Sequence, residues 1–377
     1  MAADPFSAEF PQDPHAGWAA LRRAGPVHRF LVGGEPIWYV TRWEEARQVL
    51  ADPTLTKVQP TRGDSDFDAA MLFVDPPDHT RLRRLVASAF TARRTEGLRP
   101  RIHRIADDLL DAVHGRDEVD LIDAFAFPLP IQVICELLGV PAEDRDSFRI
   151  WSNALTSPTA LDARTAGQRM REYVTALIAH KRRRPTDDLL GALLAEADDG
   201  DRLSDRELTA MVFLLLVAGH ETTVNLIANG VYVLCTRPEL RDRLAADPAL
   251  LPSAVEEFLR YESPVATSTY RRTTRPTRIG GVTVPAGEQV MVSLLSANRD
   301  SALASDPDGV DLSRRAQHLA FGHGMHYCLG APLARLEGQV ALGTLLERHP
   351  KLTLATRDLT WRGGLLIRGL TRLPVRL

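Results

Sequence analysis

The chain has 377 residues, 44% hydrophobic and 25% charged, enough to bury a large core without any compositional extreme. A formal charge of −3 supplies no global attraction to nucleic acid or to an anionic membrane, so a charged partner has to be met by a local patch. Three widely spaced cysteines, Cys135, Cys235 and Cys328, form no CxxC pair and argue against a disulfide framework or a zinc ribbon. No Gly/Ser linker divides the chain, which reads as one continuous unit over residues 1–377. The N-terminal MAADPFSAEFPQDPH carries acids and prolines where a signal peptide needs a basic start and an apolar stretch. The longest apolar run, Ala210 to Gly219, is too short to span a bilayer, and a cytoplasmic protein is expected.

In chain order, residues 28–41 are strand-like. DPPDHTRLRRLV follows, where Pro76 and Pro77 help to start a helix that carries His79 and Arg83 four apart on one side, able to meet one anionic ligand. Residues 81–104 hold eight arginines against one acid, Glu96, a patch suited to steering an acidic partner. The clearest helix opens at Ser204-Asp205-Arg206-Glu207, a capping box, and meets no proline until Pro238, a length that crosses a whole domain. Its middle, AMVFLLLVAG, is apolar nearly all round and is followed at once by His220-Glu221-Thr222-Thr223. In EEFLRYESP, Glu257 and Arg260 stand three apart on a short helix. Residues 278–295 and 361–377 are again strand-like, so the fold class is mainly α with minor β.

The segment LAFGHGMHYCLGAPLARLE joins a Gly-rich turn to an amphipathic helix, with Cys328 at the junction. Free backbone N–H groups and the positive dipole end favour a thiolate there, and Gly322, Gly324 and Gly330 let the backbone approach a flat, bulky ligand.

Phe321-x-x-Gly324-x-His326-x-Cys328-x-Gly330 resembles the cysteine-ligand loop of the cytochrome P450 family. Glu257-x-x-Arg260 is similar to the family's core element, with Arg314 as its third partner. The resemblance covers nearly the whole chain, including LLIRGLTRLPVRL as the last β-hairpin. Ala304 and Val310 depart from it by replacing aromatics common in relatives.

The resemblance implies haem b between the long central helix and the loop, with Cys328 as the axial iron ligand. It implies propionate binding by His79, Arg83, Arg271 and His326, with Gly219, Phe321 and Gly330 against the macrocycle. Ala218-Gly219-His220-Glu221-Thr222-Thr223 resembles the oxygen-activation segment, in which Glu221 and Thr222 relay protons and Thr222 opens the helix locally to hold a water. The implied activity is that of a haem-thiolate monooxygenase using dioxygen, most simply hydroxylating a small organic substrate such as a natural-product intermediate of secondary metabolism. Epoxidation or oxidative coupling is an alternative, and a haem sensor or carrier is the non-enzymatic one. Electrons have to come from a separate ferredoxin or flavodoxin with its reductase, because no GxGxxG segment offers a nicotinamide or flavin domain. The expected substrate pocket comprises the segment before Asp75 together with Phe213, Val217, Ala218, Val265, Thr267, Ser268 and Leu366, the two hydroxyl residues and Thr269 making one wall polar. A zinc hydrolase is disfavoured, since HExxH needs a histidine where Val224 stands.

Overall fold

The computed structural model describes residues 4–7, 9–58, 66–87, 90–155, 160–196 and 203–377. Its axis is the helix Asp205–Thr236, which forms where the capping box indicates. Ser204 Oγ accepts the Glu207 N–H at 3.2 Å, and the Glu207 carboxylate accepts the Ser204 N–H at 2.8 Å. These bonds satisfy two backbone donors that a helix start leaves free, and Pro238 follows just after the end. At 1.5 Å per residue the helix is about 48 Å long.

Helices that pack on this axis include Pro128–Leu138, Ala160–Arg183, Leu251–Tyr261 and Ala331–Arg348. Together they enclose the largest apolar cluster, which explains why the central helix can be apolar nearly all round. By length and composition an 18-residue window of that helix is apolar enough to cross a membrane, contrary to the expectation from the shorter run. The chain itself buries 72% of the window.

The main sheet has five strands, in the order Val27–Val32, Glu35–Val40, Gln289–Val292, Arg271–Thr273, Leu55–Thr56. The first two form a hairpin through Gly33 and Gly34, both at positive φ, and Glu35–Val40 pairs in parallel with Gln289–Val292. Residues 278–295 resolve into Thr277–Ile279, Val282–Val284 and Gln289–Val292, with the short helix Leu294–Ala297 after them. The C-terminal stretch is less regular than expected: only Pro374–Arg376 is a strand, and residues 361–370 are tied down by isolated bridges. The sequence signal missed Leu55–Thr56, Glu118–Asp120, Arg271–Thr273 and Thr353–Leu354, which at two or three residues are too short to show alternation.

Candidate active site

A cavity of about 290 Å³ lies between the central helix and the Gly-rich loop. Cys328 opens onto it from the loop side, its N–H donating to Phe321 O at 2.8 Å and closing the turn. Gly322 and Gly324 sit at φ +74° and +73°, and a Cβ on Gly324 would stand 2.8 Å from Leu50 O, so both positions need glycine. Gly330 differs: its φ of −79° is ordinary, and a Cβ there would stand 3.9 Å from the Cys328 sulfur.

The following helix starts at Ala331 with Gly330 as its cap, so Cys328 precedes the helix rather than opening it. The N–H groups of Gly330 and Ala331 still point at the sulfur. Burial nevertheless dominates and raises the thiol above its ordinary range, against the pull of those two donors, Arg83 and Arg335.

One edge of the cavity is basic. His79 and Arg83 project from Asp78–Ala87, Arg271 from its strand, and His326 from the loop, and all four line the cavity. The strand settles the choice among neighbouring arginines, since Arg271 is buried while Arg272 faces the other way and bonds Gly287 O. Among the described residues Arg271 reaches the carbonyls of Thr269 and Leu50, at 3.5 and 3.3 Å, and burial lowers its pKa to about 10. The rings of His79 and His326 lie 4.3 Å apart, and the Nε2 of each is buried without a partner. Burial, with Lys57, His79, Arg271 and Arg83 around it, pushes His326 down to about 3. Burial and Arg83 likewise lower His79. Arg83 also donates to Tyr327 O at 2.7 Å, pinning the loop.

On the opposite wall the central helix presents Leu214, Leu215, Ala218, Gly219, Thr222 and Leu226. Thr222 Oγ1 donates to Ala218 O at 3.0 Å, while the helix remains continuous, without the expected local opening. A Cβ on Gly219 would meet Ile134 at 3.1 Å, so this glycine serves helix packing as well as the cavity. Glu221 does not line the cavity: it is buried behind Thr222, ion-paired with Arg362, and its second oxygen lies 3.9 Å from His220 Nε2. Arg362 had no signal in the sequence, lying 141 residues away.

Beneath the loop, Glu257 and Arg260 form a bidentate pair with both bonds at 2.8 Å, and Arg314 Nε stands 3.2 Å from Glu257, completing the expected triad. Arg260 also donates to the carbonyls of Asn298, Pro307 and Gly309, and Asn298 Oδ1 accepts the Leu319 N–H at 2.6 Å. The triad therefore positions the chain that enters the cysteine loop.

The expected substrate wall needs correction. Met71, Leu72, Ala218, Val265 and Ser268 line the cavity, but Phe213, Val217, Thr267 and Leu366 do not. Helical phase turns Phe213 and Val217 into the core and brings Leu214 and Leu215 forward. Thr267 bridges to Ser293 and is fully buried beside Tyr39. Leu366 gives its carbonyl to the Ala266 N–H, and its side chain points outward. Ser268 Oγ accepts the Val292 N–H, and Thr269 Oγ1 accepts from Lys57.

The cavity combines a sulfur floor, a helical apolar roof and one edge of buried, under-bonded donors. These features fit a flat apolar macrocycle that carries an iron and two carboxylates. Among the described residues no cluster of three His, Cys, Asp or Glu side chains is placed to hold a bare metal ion.

Comparison with known proteins agrees. The family model described as Cytochrome P450 matches residues 146–354. The chain is 53% identical to Cytochrome P450 107B1 of Saccharopolyspora erythraea, over 98% of this chain and 96% of that protein. It is 49% identical to the Vitamin D(3) 25-hydroxylase of Pseudonocardia autotrophica, over 99% of this chain and 96% of that one. The solved structure of PksS, the bacillaene polyketide synthase cytochrome P450 of Bacillus subtilis, superposes with a TM-score of 0.94 at 38% identity, covering 99% of both chains.

Proposed function

The chain belongs to the cytochrome P450 family and is a haem-dependent monooxygenase drawing on separate redox partners; from that premise we propose the identity of its haem, the residues that hold it and the substrate it takes. The haem is haem b, with Cys328 as iron ligand. His79, Arg83, Arg271 and His326 bind its propionates, and Gly219, Phe321 and Gly330 lie against its faces. The observation that carries this reading is the convergence on one cavity of all eight residues, drawn from separate stretches of chain. The unpartnered Nε2 atoms of both histidines and the loosely bonded Arg271 support it further.

Bound there, the haem supplies activation of dioxygen and oxygen-atom transfer, favoured by electron density from its thiolate ligand. The protein supplies dryness, position and protons. The leucines of the central helix exclude water from the roof, and the Glu257–Arg260–Arg314 triad fixes the loop that aims the sulfur. Reduction of dioxygen consumes two protons, which Glu221 and Thr222 bring inward: Glu221 sits between Arg362 and the cavity wall, and Thr222 Oγ1 stands at the wall itself.

The substrate is a natural-product intermediate with a largely apolar body, oxidised most simply by hydroxylation. The leucine-rich roof supports this, as do a relative named for vitamin D(3) and another named for a polyketide synthase. Electrons come from a ferredoxin or flavodoxin with its reductase. The exposed Arg93 and Arg94 offer the docking charge, whereas Arg81, Arg99 and Arg101 are already paired with Glu207, Glu96 and Glu136. The enzyme works in the cytoplasm as one catalytic unit. The single unit is supported by Gln12, which exchanges hydrogen bonds with the Trp361 backbone, and by Glu262, which ties His15 to Arg368.

The test is the absorption spectrum of the reduced, carbon monoxide-bound protein. A thiolate-type Soret band is expected and should be absent in Cys328→Ser; a histidine-type band in the parent, or no haem, overturns the reading.

A further inference from the structure

Lys57 is 1% exposed, an unusual place for an ammonium group. Its Nζ donates to Thr269 Oγ1 and, at 3.0 Å, to Tyr270 O, and it stands 5.6 Å from the centre of the Tyr270 ring. Thr269 lines the cavity beside Arg271. An ammonium has no lone pair, so in this bond the threonine hydroxyl must accept, and its own hydrogen is left to point elsewhere. A hydroxyl polarised by a cation behind it is a stronger donor than an ordinary alcohol.

We propose that Lys57 and Thr269 form a further anchor for a haem propionate, the Thr269 hydroxyl donating to the carboxylate with the Lys57 charge directly behind it. The inference rests on the haem reading above and adds a fifth group to the basic edge. The geometry favours it: Thr269 lines the same edge as Arg271, the buried Lys57 ammonium stands directly behind its hydroxyl, and Asp75 holds the Lys57 backbone N–H at 2.9 Å. A buried cation in that place is less costly with a carboxylate in front of it.

The competing account is structural: Lys57 follows the strand Leu55–Thr56 directly and simply ties it to the segment leading into Arg271–Thr273. Release of haem to an excess of apomyoglobin separates the two. The parent, Lys57→Met, Lys57→Arg and Thr269→Val proteins are each loaded with protohaem or with its dimethyl ester, whose propionates are uncharged. With protohaem, Lys57→Met and Thr269→Val should each speed release on the order of tenfold, the effect of losing a charge-assisted hydrogen bond. The double variant should be no worse than either single one, because the two groups act in series. Lys57→Arg should stay near the parent, and none of the substitutions should alter release of the dimethyl ester. Equal acceleration of both haems, or parental release of protohaem from Lys57→Met, overturns the proposal in favour of the structural account. A parent protein that takes up no haem instead defeats the underlying reading, so the two failures are distinguishable. Thr269→Val and Lys57→Arg carry the test should Lys57→Met not fold.

Discussion

Removing the Glu257 carboxylate should cost far more than an ordinary ion pair is worth, because it strands a charge. Arg260 is 1% exposed and its partner is fully buried, so Glu257→Ala leaves a guanidinium with two lost bonds and no route to water. The same substitution takes an acceptor from the Asp311 N–H at 2.9 Å and a counter-charge from Arg314. Breaking a buried pair from one side costs about 3–5 kcal/mol. For a chain of this length, that corresponds to a fall of about 4–6 °C in unfolding midpoint. Because Arg260 holds the carbonyls of Asn298, Pro307 and Gly309, and Asn298 holds Leu319, the Soret band should be lost in the same step as helical ellipticity. Paired heating scans at 222 nm and in the Soret region measure both. Replacing the pair together, as Glu257→Leu with Arg260→Met, should be less harmful than Glu257→Ala, since no charge is then abandoned. A Glu257→Ala protein within about 1 kcal/mol of the parent, or a double variant worse than the single one, would refute the reasoning.

Three other outcomes are expected. Thr222→Ala should keep its haem spectrum and consume reductant, but divert much of it to peroxide; normal coupling of reductant to product would remove Thr222 from the proton route. Arg362→Met should lower stability by about 3–5 kcal/mol, because it takes the guanidinium from the buried Glu221 carboxylate, and adding Glu221→Gln should restore most of that loss in a denaturant titration. For Glu256, burial raises the carboxyl, but His318 and Arg335 outweigh it and hold it at about 2. Its folded pKa lies below the unfolded one, so its contribution is complete above about pH 4.5 and disappears as pH falls toward 2. In acid unfolding curves Glu256→Gln should therefore be less stable than the parent at neutral pH, with the gap closing across that window.

What the sequence disclosed and what it hid divide along a physical line. His79 with Arg83, Glu257 with Arg260, and the run from Phe321 to Gly330 are each local. Spacing on one helix or turn determines which side chains share a face, and the structure gathers them as that spacing implies. Arg271 was harder: only the buried-out-buried alternation of a three-residue strand selects it over Arg272. The substrate wall failed for a related reason. Within Phe213–Ala218 one residue of phase moves a side chain 100° around the axis, and only the packed helices Pro128–Leu138 and Ala331–Arg348 fix which face looks into the cavity.

The pairs most consequential for chemistry, Arg362 on Glu221 and Lys57 on Thr269, join residues 141 and 212 positions apart. Neither Arg362 nor Lys57 stands out in its own stretch of sequence, whereas the partner of each lies at or just behind the cavity wall. The motifs thus supply the groups that face the cavity. The tertiary fold supplies the charges that stand behind them. Variation among similar proteins at the second set should alter haem retention and coupling while leaving the type of reaction intact.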